Sequence, residues 1–175
     1  MVVESQVEAF TAALEGHGAA VLSGEETQRL LAMIVDPRTN RLHASILGRA
    51  AGNIAEWASI ERPYPIQVLV LPTQEVSEHN PLARQKLTPL LSLFGVVDEQ
   101  AGMRVCKQLL ALEGAGHTAI IYTRSPRLTT EFGTQLPASR ILVNAPGTQR
   151  GHGAGEWLTA LHDARVRDLW RHIYD

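Results

Sequence analysis

The chain has 175 residues, 45% of them hydrophobic and 19% charged, which suits a globular domain with one core, or part of a larger one. A formal net charge of −2 argues against a nucleic-acid surface, and a single cysteine excludes an internal disulfide framework and a thiolate metal cluster. No apolar run is long enough to span a bilayer and residues 1–10 lack a signal-peptide pattern, so a soluble cytoplasmic protein is expected.

Met1-Val-Val3 reads as the end of a strand. Ser5 is the expected cap of a helix with Val7, Phe10 and Leu14 on its apolar face, ended by Gly16 and Gly18. Ala19 to Leu22 is a short extended run. Ser23 and Glu26 make a capping box that opens a helix faced by Thr27, Leu30, Leu31 and Ile34, and Pro37 closes it. Arg41 to Leu47 reads as irregular or extended, and Arg49 to Ser59 as a helix of small residues. Arg62-Pro-Tyr-Pro65 punctuates the chain before its clearest buried strand, Ile66 to Leu71. The polar loop from Pro72 to Gln85 is long enough to suggest function beyond connection.

Leu90 to Val97 gives another strand, and Asp98 caps a helix that runs through Leu112 and stops at Glu113-Gly114. A strand at Thr118 to Tyr122 follows, then a helix opened by Ser125-Pro126 and reaching about Gln135. Ile141 to Val143 is the last strand, and Gly147 to Gly155 a glycine-rich loop. Trp157 to Ile173 is expected as an amphipathic helix carrying Leu158, Leu161, Leu169, Trp170 and Ile173. Strand and helix alternate throughout, and the strands are apolar on both faces. This predicts an α/β fold with a parallel sheet and helices on both faces.

Four features invite a chemical reading. Cys106 lies mid-helix, with Leu109 and Leu110 three and four residues on, and reads as a small core hydrophobe rather than a nucleophile. His117 follows two glycines, Gly114 and Gly116, at a strand end; it either moves a proton there or is satisfied by nearby backbone groups. Asn144 follows the last strand and either donates its amide to an oxyanion or cofactor oxygen or terminates the strand by bonding backbone. The loop from Gly147 to Gly155 fails as a phosphate loop. Glu156 stands where a dinucleotide fingerprint needs glycine or alanine, and no lysine follows its glycines. The remaining histidines show no metal-ligand spacing, so no metal is expected.

Three pieces taken together carry more than pattern. Gln85-Lys-Leu-Thr-Pro-Leu-Leu-Ser-Leu93, Gly114-Ala-Gly-His-Thr-Ala119 and Ser139-Arg-Ile-Leu-Val-Asn-Ala-Pro-Gly-Thr-Gln149 resemble the CoA-acylating aldehyde dehydrogenases in order and spacing. Ile46-Leu-Gly48 and the helix after it fit as well. The resemblance covers roughly Val2 to Gly151 and implies an aldehyde dehydrogenase catalytic-domain-like segment over 1–151. Residues 152–175 are then a divergent C-terminal helix of the same domain. A γ-glutamyl phosphate reductase also carries a glycine-rich His-Thr segment, but the pieces at Lys86 to Pro89 and Arg140 to Gln149 favour the acylating group.

In that family a cysteine thiolate attacks the aldehyde, hydride passes to NAD, and the thioester is transferred to CoA. The resemblance makes His117 the histidine near the reacting centre. It places Gln85 where a glutamate usually contacts the nicotinamide ribose, and sets Asn144 and Gln149 beside the site. Two departures follow. The family's nucleophilic cysteine and its dinucleotide domain have no counterpart here, so the isolated chain is expected to be inactive and to bind neither NAD nor CoA tightly. Small aldehyde and CoA are the implied substrates, and a homo-oligomer or a missing cofactor domain the implied partner. The competing expectation is a non-catalytic remnant acting in assembly or regulation.

Overall fold

The computed structural model describes residues 1–147. The glycine-rich loop beyond Gly147, Gln149 and the expected helix at 157–173 lie outside the described residues. The chain divides into two compact units, Met1–Gly102 and one that begins at Met103.

In the first unit β1 (Val2–Val3) runs straight into α1 (Glu4–Gly16). Ser5 is therefore already inside the first turn, and the cap position falls to Val3, which has no side chain to bond the free amides. Gly18, at φ +84°, turns the chain into β2 (Ala19–Val21). The capping box at the start of α2 (Gly24–Ile34) forms as its sequence predicts. Glu26 N donates to Ser23 Oγ at 3.1 Å and Ser23 N donates to Glu26 Oε2 at 2.9 Å.

Helix α2 stops at Ile34, three residues before Pro37, because Val35–Asp36 (β3) turns back through a tight loop to pair antiparallel with Arg41–Leu42 (β4). Two-residue strands carry no readable periodicity, which is why 41–47 reads as irregular. Helix α3 (Ala51–Trp57) is shorter at both ends than the expected Arg49 to Ser59. Strand β5 (Val68–Thr73) sits two residues later than expected, and β6 spans Leu90–Val96.

The four longer-range strands pair in the order β1-β6-β5-β2, all parallel. Register decides which residues share a face. Ala20 lies beside Leu69, and Leu69 beside Leu90, so with Leu22 and Leu71 they form one face. That face packs on Leu30 and Ile34 of α2, Ile54 and Ala55 of α3, and Ile46, a core buried almost completely. Gly95 alternates to the opposite face, where a side chain on it would meet Val7 and Glu4 of α1. Helices therefore cover both faces of the sheet.

Helix α4 (Glu99–Glu113), which belongs to the second unit from Met103 on, leads into β7 (Thr118–Ile121), α5 (Pro126–Gln135) and β8 (Arg140–Val143). β7 and β8 pair in parallel, Thr118 beside Arg140 and Ile121 beside Val143. Met103, Leu128, Phe132 and Leu136 make a second core, with Cys106, Leu110, Ala119, Ile121 and Ile141 packed against it. Ser125 caps α5, its Oγ accepting from Leu128 N at 3.2 Å, with Pro126 in the first helical position.

Candidate functional site

Gln85 belongs to the first unit and sits on a turn that its neighbours lock in place. Asn80 opens the turn: its Oδ1 accepts from Leu82 N at 2.9 Å, and its Nδ2 donates to Thr73 Oγ1 at 3.1 Å. The Lys86 ammonium reaches back and donates to the carbonyls of Leu82 and Arg84, each at 2.8 Å. Ser92 Oγ, from β6, donates to the same Leu82 carbonyl at 2.6 Å. Thr88 is buried, and its hydroxyl donates to Ile46 O at 3.3 Å. Between these anchors Leu87 adopts φ +46°, a conformation that costs a branched residue about 1–2 kcal/mol. Gln85 and Leu87 are the exposed residues of this held segment. The backbone that carries Gln85 is therefore held in place, and its side chain is exposed.

His117 and Asn144 belong to the second unit. Gly114 at φ +89° and Gly116 at φ +119° bend the chain out of α4 and into β7, conformations that disfavour any residue with a Cβ. They leave His117 exposed at the N-terminal end of β7, its Nε2 at a long 3.4 Å from Glu113 O. The imidazole is loosely held and open to solvent. Asn144 occupies the other end. At φ +50° its backbone N donates to Ile121 O at 2.9 Å. Its Oδ1 accepts from Thr123 N and its Nδ2 donates to Thr123 O, both at 2.9 Å. The side chain thus continues the β8–β7 ladder past the last strand residue, with one amide hydrogen to spare.

His117 and Asn144 do not share a strand end. Five residues of parallel strand separate their levels, roughly 16 Å at ~3.3 Å per residue. Asn144 lies at the carboxyl ends of β7 and β8, where open parallel sheets place ligands, and His117 at the amino ends. Arg140, which was not singled out in the sequence, joins the His117 end. Its Nε donates to Thr118 Oγ1 and its Nη2 to Gly147 O, both at 3.0 Å. Tyr122 Oη donates to Ala145 O at 3.1 Å, so residues 145–147 fold back along the ladder from Asn144 to Arg140. The sequence signal for Arg140 was its place opening the Arg-Ile-Leu-Val-Asn piece. Gln149 lies outside the described residues.

Cys106 sits mid-way along α4 against the second core, and burial pushes its thiol pKa up. A group so placed is less ionised, and so less nucleophilic, than a free thiol at neutral pH. Among the described residues no group of three or more His, Cys, Asp or Glu side chains is arranged to hold a metal. Nor is any described helix long and apolar enough to cross a membrane.

No protein-family model matches the chain. Individual proteins do. The bifunctional aldehyde-alcohol dehydrogenase AdhE of Escherichia coli (strain K12) is 31% identical over 156 residues, 87% of this chain and 17% of that protein. The acylating sulfoacetaldehyde dehydrogenase of Cupriavidus necator is 32% identical over 146 residues, 82% of this chain and 29% of the relative. The solved acetylating aldehyde dehydrogenase of Geobacillus thermoglucosidasius superposes with a TM-score of 0.74 at 31% identity, over 93% of this chain and 34% of the other. This chain belongs with the acylating aldehyde dehydrogenases. It spans between about a sixth and a third of the length of these three. Two more distant structures, each 16% identical with a TM-score of 0.70, share the fold. One is the propionaldehyde dehydrogenase of Rhodopseudomonas palustris with bound propionyl-CoA, the other an engineered glycolyl-CoA reductase with bound NADP+.

Proposed function

We propose that this chain is the catalytic-domain portion of a nicotinamide-dependent, CoA-acylating aldehyde dehydrogenase, and that it does not turn over by itself. The observation that carries the reading is similarity to acylating enzymes across four-fifths or more of the chain. Propionyl-CoA and NADP+ in two structures of the same fold support CoA and a nicotinamide nucleotide as the small molecules involved.

The reaction needs a thiolate that adds to the aldehyde carbonyl, a base that takes the proton of the adduct's hydroxyl, and a nicotinamide that would accept its hydride. It also needs a CoA thiol that attacks the resulting thioester carbonyl and displaces the enzyme thiolate as acyl-CoA forms. Cys106 is unsuited to the first step, being half-buried against a core with its ionisation disfavoured. The other roles have better-placed candidates. Gln85, on its locked turn, would offer an amide to the nicotinamide ribose. His117, exposed and weakly bonded, would accept or return a proton near the reacting centre. Asn144 would offer its remaining amide hydrogen to an oxygen, and Gln149, of the same sequence piece, is the fourth candidate.

The test is titration of the isotopically labelled chain with NAD+ by NMR, followed by an assay with aldehyde, NAD+ and CoA. Shifts at the Gln85 amides with a weak dissociation constant, on the order of 1 mM, are expected, and no NADH. NADH formation by this chain alone would overturn the assignment of Cys106 as a core residue. Unmoved Gln85 amides at saturating nucleotide would remove Gln85 from the cofactor site.

A further inference from the structure

The outer edge of β2 is covered by a strap that is itself unable to extend the sheet. Leu22 N donates to Val70 O and Gln67 N to Gly18 O, so residues 18, 20 and 22 face β5. By alternation Ala19 and Val21 turn their backbone groups away from β5, outward. A parallel edge of this kind is a template on which another strand can pair. Here the outward carbonyls are already taken, and by side chains. Tyr64 Oη donates to Ala19 O at 2.9 Å, and Arg62 Nη2 donates to Val21 O at 2.9 Å.

The spacing is two residues on each side and runs in opposite directions, so Arg62 to Tyr64 lies beside β2 as an antiparallel strand would. Its donors are side-chain groups. Pro63 and Pro65, the intervening residues, have no N–H to pass on to a further strand.

Two other features hold the strap in position. The guanidinium of Arg62 grips Glu26 at both oxygens, Nη1 to Oε1 at 2.9 Å and Nη2 to Oε2 at 3.0 Å, each side chain only 18% exposed. Glu26 is anchored in turn by the capping box of α2. At the other end Gly18, at φ +84°, lets the strap pass closely, since a Cβ there would stand 3.2 Å from Pro65 O and 3.0 Å from Gln67 Cγ.

We propose that Arg62-Pro-Tyr-Pro65 is an edge guard that closes β2 against strand addition by a second copy of this chain. Without it, two such edges could pair by exchanging the outward groups of Ala19 and Val21, joining two copies into a dimer. The guard works by occupying acceptors, so replacing its two donors with apolar groups should open the edge; Arg62→Met also releases Glu26, whereas Tyr64→Phe removes a donor alone.

The test compares the unaltered chain with the Arg62→Met/Tyr64→Phe double variant by size-exclusion chromatography with light scattering and by amide exchange. The expected result is a rise of about tenfold or more in the self-association constant. In the assembled form, exchange at Ala19 and Val21 should be slower than in the unaltered chain. An unchanged size distribution, or assembly that leaves those two amides as exchangeable as before, overturns the proposal. Should circular dichroism show that the double variant has lost its fold, Tyr64→Phe alone decides by the same two readings, since it removes a single oxygen.

Discussion

Asn144 shows how one side chain completes a strand end. At φ +50° it stands in the left-handed region, which asparagine tolerates better than most residues. From there its amide both accepts from and donates to Thr123. From the sequence, terminating a strand and serving a ligand were open alternatives; in the structure the first consumes two of the four bonding positions of the amide. We expect Asn144→Ala to destabilise the chain by about 1–2 kcal/mol, through two lost hydrogen bonds and a strained backbone. Asn144→Gly relieves the strain and should recover about 1 kcal/mol of that loss. Urea unfolding of the three proteins checks the order. Cys106 is the opposite case. Its mid-helix position and leucine neighbours were enough to read it as core, because helical periodicity is local information.

At the scale of elements, the Ser23–Glu26 box was legible because both partners lie within one turn. Arg62, the other partner of Glu26, is 36 residues away, and no local pattern reveals it. The hydrogen bonds from Arg62 hold the Glu26 carboxyl pKa down, from an ordinary 4.5 to about 2, against the opposing pull of desolvation. A carboxylate whose folded pKa is lowered contributes stability that is fully present above about pH 4.5 and is lost as the pH falls through that window toward 2.

Glu26→Gln should therefore lower the unfolding free energy by about 1–2 kcal/mol at pH 7. The difference from the unaltered chain should shrink steadily below pH 4.5 and vanish near pH 2. Denaturant titrations at a series of pH values measure it; a difference independent of pH would contradict the ion-pair account. The β3–β4 hairpin escaped notice for the same reason as Arg62. Asn40, at φ +53°, donates from its side chain to His79 O, and so ties the hairpin to the loop before Gln85 across 39 residues of sequence.

At the scale of the whole molecule, composition makes one claim of its own. With a net charge of −2 and an isoelectric point near 6.4, the chain should be least soluble close to pH 6.4 and more soluble on either side. Precipitation by ammonium sulfate at a series of pH values tests this, and a minimum elsewhere would show that local patches outweigh net charge.

The alternation of helix and strand, the buried character of Leu69 to Leu71 and the membership of the motif pieces in one family were all determined by the sequence itself. The first two rest on periodicities of two and 3.6 residues, and the third on the resemblance of short runs of neighbours to one family. Tertiary structure alone decided the rest. Parallel register put His117 and Asn144 at opposite ends of their ladder, although both stand at strand boundaries. Packing locked the Gln85 turn through Lys86, Thr88 and Ser92, and it brought Arg62 and Tyr64 onto the edge of β2. The physical reason is the same in each case. A strand's ends, a loop's anchors and an edge's cover are relations between segments far apart in the chain, and only folding brings those segments within hydrogen-bonding distance.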